Sequence, residues 1–437
     1  MHGTGRVAVA LAIAAAVAGA CRNERQKRAG DAAPVEVVAT PVIADAGVGG
    51  TSDEVEPNDA EDVANPLGAG ATVHARIDPD SDADFYRIDI PGDGVLAVEL
   101  ATPEAMDLTL ELFDQTGSMV AKSDRGAARM REGLPNVGVS TGKYYAVVRA
   151  KKLAPATTKS GKRRAPPVDA AVAHPVVTPY EITARLTAHV AASEREPDDD
   201  RGTANDVIPG DTVTGFIGWT ADVDVWKLSV ETLSASNALD IEVSAVENVA
   251  LVLELVDGIG RTLATRKAPR GAPLIARGFV PVVPPGASPF HYLTIRGDRS
   301  NPDAGYQLRI TAKPLGMDAE IEPNDAVDKA MPVPPDRTVV AGSWSSGDID
   351  CYALSRDPAA RSVDAMIETP AAVDLAGELF IDGTSAAKAD HPGKGAAERV
   401  TAPVPAGAQP VLCVRGSDSA GEGSYEVKFQ DGPAGPP

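Results

Sequence analysis

The sequence predicts an all-β chain made of tandem antiparallel β-sandwich domains, and three observations predict it. An acidic, proline-containing hexapeptide occurs three times, each time at the same distance from a later Asp-x-Asp pair. Short runs alternate apolar and polar residues with a period of two. Gly and Pro, 41 and 36 of 437 residues, are spread between those runs with no collagen-like period. That distribution excludes a coiled coil or a long helical bundle and favours short strands joined by turns. The length accommodates about three domains of ~150 residues. Hydrophobic residues make up 43% and aromatics only 4%, so the cores must be built mostly from Ala, Val, Leu and Ile. Acidic residues outnumber basic ones by 62 to 41, a net charge of −21. That balance speaks against nucleic acid as a partner, because phosphate calls for Lys and Arg.

The chain opens with an address. Arg6 precedes fourteen small or apolar residues, Val7 to Ala20. This run is short of the ~20 needed to cross a bilayer and suits a secretory signal peptide over 1–20. Its end, Val17-Ala18-Gly19-Ala20-Cys21, resembles a bacterial lipobox, with Ala18 where Leu is usual. The resemblance implies a diacylglycerol anchor on Cys21, and the plainer alternative is ordinary cleavage after Ala20. Residues 21–51 read as a flexible tether. Arg22, Arg25, Lys27 and Arg28 lie at its start, in reach of anionic headgroups. About thirty such residues have an r.m.s. span of roughly 30 Å. The expected location is the bacterial cell envelope, exported and membrane-anchored, on the outer-membrane or periplasmic side.

The repeats organise the remainder. Glu54-Val55-Glu56-Pro57-Asn58-Asp59 recurs as Glu194-Arg195-Glu196-Pro197-Asp198-Asp199 and as Glu320-Ile321-Glu322-Pro323-Asn324-Asp325. The later pairs are Asp82 and Asp84, Asp222 and Asp224, Asp348 and Asp350. Pro57 to Asp84, Pro197 to Asp224 and Pro323 to Asp350 are each 27 residues apart. An aromatic follows two places on (Tyr86, Trp226, Tyr352), and Tyr180, Tyr306 and Tyr425 each open a closing strand. The predicted domains are 52–190, 191–315 and 316–431, with a tail over 432–437. Strands are expected at Asp84 to Ile90, Val95 to Leu100 and Leu108 to Phe113, and one helical turn at Asp59 to Ala64. The first copy carries 21 extra residues between Val148 and Tyr180, read as a disordered basic loop over 151–178 that enlarges a hairpin. Such a loop either contacts lipid A, an anionic polymer or a neighbouring domain, or is simply solvated.

Cys351 and Cys413 form an even pair in an exported chain, which makes them a disulfide candidate. The alternative is two buried thiols. Their counterparts in the first copy, Phe85 and Val147, are apolar, so the two cysteines should be inward-facing or adjacent.

The hexapeptide, the Asp-x-Asp-aromatic strand and the closing Tyr strand together resemble the bacterial pre-peptidase C-terminal domain family, which includes the collagen-binding domains of clostridial collagenases. Three copies would cover nearly all of residues 52–431. The resemblance implies small jelly-roll-like β-sandwiches, although the peptidase domain to which such modules are often appended is absent.

Calcium prefers six to eight oxygen ligands, and each copy supplies carboxylates on two segments. Glu54 and Glu56 share one side of an extended segment, as do Asp82 and Asp84. Such a group repels itself unless a cation joins it. The collagenase relatives bind calcium through this motif, which implies three ligand sets. These are Glu54, Glu56, Asn58, Asp59, Asp82 and Asp84; Glu194, Glu196, Asp198, Asp199, Asp222 and Asp224; and Glu320, Glu322, Asn324, Asp325, Asp348 and Asp350. The competing reading is that Asn58 and Asp59 cap a turn and Asp84 satisfies backbone donors.

Catalytic motifs find little support. Gly138-Val139-Ser140-Thr141-Gly142 fits G-x-S-x-G, but a nucleophile elbow joins a strand to a helix, and a strand follows here. The six histidines do not fall at metal-ligand spacing. Arg296-Gly297-Asp298 reads as a hairpin turn. The expectation is therefore a non-enzymatic envelope lipoprotein, with no catalytic residue, whose calcium-stabilised modules bind or space an unidentified protein or polysaccharide. The alternative is an accessory subunit or inhibitor of a separately encoded secreted peptidase.

Overall fold

The computed structural model describes residues 50–77, 82–102, 106–125, 130–151, 178–417 and 421–433. The signal peptide, Cys21, nearly all of the tether, nearly all of the basic loop and most of the tail lie outside the described residues.

Six sheets form three facing pairs. In the first module one sheet runs in the order Thr51–Asp53, Thr72–Ile77, Thr178–Thr187, Gly94–Ala101, Glu132–Val139. The other runs Asn65–Pro66, Ala83–Ile90, Gly142–Lys151, Asp107–Asp114, Met119–Ser123. The second module repeats this order. Thr212–Gly215, Tyr306–Pro314, Asn237–Val243 and Leu274–Phe279 make one sheet. Asn205–Val207, Val223–Ser229, Phe290–Gly297, Leu251–Val256 and Thr262–Lys267 make the other. The third module follows suit, from Val339–Ser345, Glu422–Pro433, Arg361–Glu368 and Glu398–Val404 to Met331–Pro332, Ile349–Ala353, Pro410–Gly416, Leu375–Ile381 and Thr384–Ala389.

Alternation explains the layers. Along Gly94–Ala101, Leu96, Val98 and Leu100 are buried while Val95, Ala97 and Glu99 are not. Facing rows of this kind close three separate cores. Each buried Val, Leu or Ile contributes about 1.5–3 kcal/mol. The first core includes Tyr86 and Tyr180, the second Trp226 and Tyr306, the third Tyr352 and Tyr425.

The pairing is antiparallel apart from short leading strands, which run parallel to a neighbour at the sheet edge. The expected helical turn is a 3-10 turn at Glu61–Val63, matched by Val327–Lys329 in the third module.

Two loop readings need correction. Gly142–Lys151 and Thr178–Thr187 belong to different sheets, so the insertion lengthens a crossover between sheets rather than a hairpin. The Arg296-Gly297-Asp298 tripeptide likewise starts a crossover, from Phe290–Gly297 to Tyr306–Pro314. Asp298 there accepts from the Ala250 amide and pairs with Arg270. A period of two shows which residues share a face, but not which sheet the next strand joins. Ser140 stands in a turn between two strands, with no helix after it.

Cys351 and Cys413 sit directly opposite each other on adjacent strands and are joined as a disulfide. They lie in a small cluster with Val411 and Phe380, separate from the main core, so the pair is adjacent and not inside the sandwich.

Candidate metal centres

Each module begins with an extended leader whose two Glu side chains point the same way. The peptide bond before Pro57, Pro197 and Pro323 is cis. The first Glu accepts a backbone N–H from the module's first sheet or the residue just after its strand: Arg76 to Glu54 at 2.6 Å, Phe216 to Glu194 at 2.7 Å, Ser343 to Glu320 at 2.7 Å. The second Glu accepts from the turn it begins: Asn58 to Glu56 at 2.9 Å, Asp198 to Glu196 at 2.8 Å, Asn324 to Glu322 at 2.7 Å. The Asn58 and Asn324 carbonyls accept the amides of Phe85 and Cys351 in the second sheet. Direct hydrogen bonds therefore tie the leader to both sheets.

The second Asp of each pair is fully buried. Its partner is the tyrosine that opens the closing strand. Tyr180 donates to Asp84, Tyr306 to Asp224 at 2.5 Å and Tyr425 to Asp350 at 2.5 Å. The aromatic two places after each Asp completes the chain: Tyr86 bonds Tyr180 at 2.6 Å, Trp226 Nε1 donates to Tyr306 at 2.8 Å, and Tyr352 bonds Tyr425 at 2.6 Å. These contacts give the sequence spacing its physical reason.

In each module, carboxylate oxygens of the two leader Glu residues and the second Asp lie within 4.8 Å of one another: Glu54, Glu56, Asp84; Glu194, Glu196, Asp224; Glu320, Glu322, Asp350. Glu322, Asp325 and Asp348 form a further such group. Asp59 and Asp199 stand exposed outside these groups.

The first cluster faces solvent. Glu56 is exposed, Glu54 and Asp82 are half-buried, and they border a cleft of about 800 Å³ with Asp53, His74 and Arg76. Asn58 is buried beside it. With its amide turned to satisfy its neighbours, Asn58 donates to Asp84 Oδ1 at 3.3 Å and Glu56 Oε2 at 3.2 Å. Burial raises the Asp84 carboxyl to about 8 and shifts Glu54 and Glu56 upward.

The second cluster is closed. Glu194, Glu196, Asp198, Asp222 and Asp224 are all at most 2% exposed. Asp198 stands where the other modules have Asn, so a carboxylate replaces an amide donor. Five oxygens have no hydrogen-bond partner: Glu194 Oε2, Glu196 Oε1, Asp198 Oδ1, Asp222 Oδ1 and Asp224 Oδ1. Burial, reinforced by mutual repulsion, raises Glu196 to about 11, Asp222 to about 8 and Asp198 to about 7, with Glu194 and Asp224 well above the carboxylate range. Asn136 of the first module reaches in, donating Nδ2 to Glu194, and its own Oδ1 is buried without a partner. Orphaned, closely spaced carboxylate oxygens fit a hard divalent cation.

The third cluster already holds a positive charge. Arg266, from the second module, is 1% exposed. Its Nη2 lies 2.7 Å from Glu322 and 2.6 Å from Asp348, its Nη1 2.8 Å from Asp325. The guanidinium also lies over the Phe279 ring, 5.5 Å from its centre. Burial opposes that charge, and Asp348, Glu322 and Asp325 more than offset it, raising its pKa. Burial raises Asp348 only to about 6, because Arg266 pulls against it. Asn324 donates to Glu320 at 3.3 Å. With Arg266 inside, Glu322, Asp325 and Asp348 do not fit a divalent cation as they stand.

Arg266 and Asn136 were not flagged by sequence motifs. The available signal was their position on strands: in Thr262–Lys267, Arg266 shares its buried face with Ala264, an inward position at which a charge needs a partner.

No family model matches the chain, and no curated protein does. Among solved structures, the chain is similar to the pre-peptidase C-terminal domain of a collagenase from Bacillus anthracis, at 13% identity and a TM-score of 0.21, over 30% of this chain and all of that one. It is also similar to the CBM22-1–CBM22-2 tandem domain of Xyn10C from Paenibacillus barcinonensis, at 12% identity and a TM-score of 0.17, over 48% of this chain and 82% of that one. A third likeness is to the insecticidal δ-endotoxin Cry8Ea1 of Bacillus thuringiensis, at 7% identity and a TM-score of 0.17, over 78% of this chain and 53% of that one. The all-β fold rests on the sheets and cores described above rather than on these likenesses.

Proposed function

We propose that the chain is a non-enzymatic, exported lipoprotein of the cell envelope, anchored through Cys21, whose tandem β-sandwich modules use bound calcium for stability while they bind or space an extracytoplasmic protein or polysaccharide. The observation that carries the calcium part is the second cluster, with five buried carboxylate oxygens that no hydrogen bond satisfies. Leaving such groups ionised and unpaired in a protein interior is costly, and a divalent cation removes that cost. The first cluster offers a solvent-open version of the same arrangement. Calcium bound there would be held by Glu54, Glu56, Asp82 and Asp84, and in the second cluster by Glu194, Glu196, Asp198, Asp222 and Asp224. When bound, it supplies charge neutralisation and no chemical step.

Calcium sites of extracellular modules commonly have dissociation constants near 10⁻⁴–10⁻³ M. At ten times such a constant, linkage adds about 1.4 kcal/mol per site. The thermal midpoint should rise in millimolar calcium and fall with chelator, and Asp84→Ala and Asp224→Ala should each remove part of the rise. Equal midpoints in calcium and chelator would make these clusters purely structural. For the anchor, palmitate labelling should vanish in Cys21→Ser. The ligand is addressed by capture from envelope extract, where recovery of a peptidase in place of envelope polymer or matrix would replace the binding-module reading.

A further inference from the structure

Each of the two junctions between modules is built around the acidic cluster of the later module. At the first junction, Gly138 N donates to the Glu196 carbonyl at 2.7 Å and Glu196 N to the Asn136 carbonyl at 3.1 Å. At the second, Val280 N donates to the Glu322 carbonyl at 3.2 Å and Glu322 N to the Gly278 carbonyl at 3.1 Å. In each case the leader of one module bridges the edge strand of the module before it.

What enters the cluster from the earlier module differs. Pairing along the outer strands places Ser123 opposite Leu110, Arg266 opposite Leu253 and Ala389 opposite Gly377. These are equivalent places in the three modules, so Ser123 is the first junction's counterpart of Arg266. Ser123 is short and turns to Glu132, to which its hydroxyl donates at 2.5 Å. Among the described residues no Lys, Arg or His forms an ion pair with Glu194, Glu196 or Asp224, and burial and the neighbouring carboxylates are the leading influences on all three. At the second junction Arg266 spans the gap and binds three carboxylates of the next module.

We propose that Arg266 is a built-in substitute for a metal ion: it closes the second junction permanently, whereas the first is closed by an exchangeable divalent cation. Calcium then controls the contact between the first and second modules and leaves the contact between the second and third unchanged. Three observations carry this: the guanidinium bound to Glu322, Asp325 and Asp348, the serine at the equivalent place one module earlier, and the five orphaned oxygens in the cluster that serine fails to reach. A guanidinium suits the role because its planar fork serves several carboxylates at once and stays charged. The part of this inference that concerns the first junction rests on the calcium reading above; the part that concerns Arg266 does not.

The test is a calcium titration by calorimetry, with thermal midpoints in calcium and in chelator, on the wild-type chain, Arg266→Ala and Asp198→Asn. Arg266→Ala should lose stability in chelator, regain it in millimolar calcium and bind one more calcium ion than wild type. Asp198→Asn, which gives the second cluster the residue the other two have, should shrink the wild-type calcium response. If Arg266→Ala is recovered only in calcium, that too supports the substitution. If it is recovered in neither condition, Arg266→Gln combined with Asp348→Asn, which leaves one charge fewer behind, is judged by the same criteria. An Arg266 variant that gains no calcium binding, and whose loss is the same in calcium and chelator, overturns the proposal. A wild type indifferent to calcium beside an Arg266→Ala chain that responds would defeat the calcium reading and leave the Arg266 substitution standing.

Discussion

The two junctions share one backbone design and differ in how they handle charge. Both add the leader of the following module to an edge strand, and both bury the second Glu of the hexapeptide. At the first, five carboxylates meet an amide from Asn136. At the second, the carboxylates meet a guanidinium. The backbone contact is thus separable from the means of neutralising the cluster: a repeat can keep its architecture while changing what it requires from solvent. Removing one member of a buried ion pair typically costs about 3–5 kcal/mol, because the partner is left buried and uncompensated. Arg266→Ala in chelator should therefore give the largest loss of any single change at either junction, read as a drop in denaturant midpoint. An unchanged midpoint would mean that the three carboxylates are neutral without it.

A second contrast lies one strand away. Glu132 in the first module, Leu274 in the second and Glu398 in the third occupy matching places, opposite Leu100, Val243 and Ile367. Burial raises the Glu132 carboxyl to about 7, against the opposing pull of Ser123 and the Arg125 amide. A carboxyl whose folded pKa is raised keeps its proton in the folded state after the unfolded chain has lost it. Its contribution is thus intact below the unfolded value near 4.5 and declines as the pH rises toward 7. Glu132→Gln stays neutral throughout. Relative to wild type it should gain stability between about pH 4.5 and 7, by up to about 3 kcal/mol, and keep that gain above. Parallel pH profiles for the two proteins would show that Glu132 is charged in the fold.

Much of the fold was legible in the sequence. The period of two and the turn residues identify strands such as Asp84 to Ile90, observed as Ala83–Ile90, and the fixed spacing anticipated that the two leader Glu residues and the second Asp would meet. Why the closing Tyr recurs was not legible, because its bond to Asp84 joins residues 96 positions apart. The crossovers were misread as hairpins for the same reason, since periodicity is blind to sheet membership. Arg266 was missed because its partners belong to the next module. Gly215 carries a related clue. It pairs with Tyr306, as Gly342 pairs with Tyr425 and Ala75 with Tyr180. A Cβ at Gly215 would lie 2.4 Å from both Glu194 Oε2 and the Tyr306 ring. Gly215→Ala should therefore cost about 1–3 kcal/mol by overpacking and weaken the first junction. A neutral result would show that Glu194 can withdraw from the cluster.

The smallest stability effect is expected in the third module, at the counterpart of the edge strands that form the two junctions. Register places Pro403 opposite Ser362 and Ala402 opposite Val363. In the first module Gly138 lies opposite Val95 and Val137 opposite Leu96, and in the second Phe279 lies opposite Leu239. Pro403 therefore stands where Gly138 and Val280 stand, and those are the residues whose amides donate to the next module's Glu carbonyl. Proline has no N–H to donate, and proline on an edge strand is a recognised way to refuse further pairing. The third module's strand thus lacks, at this place, the amide donor that the first two offer. Pro403→Ala should leave the thermal midpoint within about 0.5 kcal/mol of wild type, as edge changes away from the core usually do, and should introduce concentration-dependent self-association in sedimentation velocity. A variant that associates no more than wild type at the highest concentration would show that the missing amide does not limit pairing at this edge.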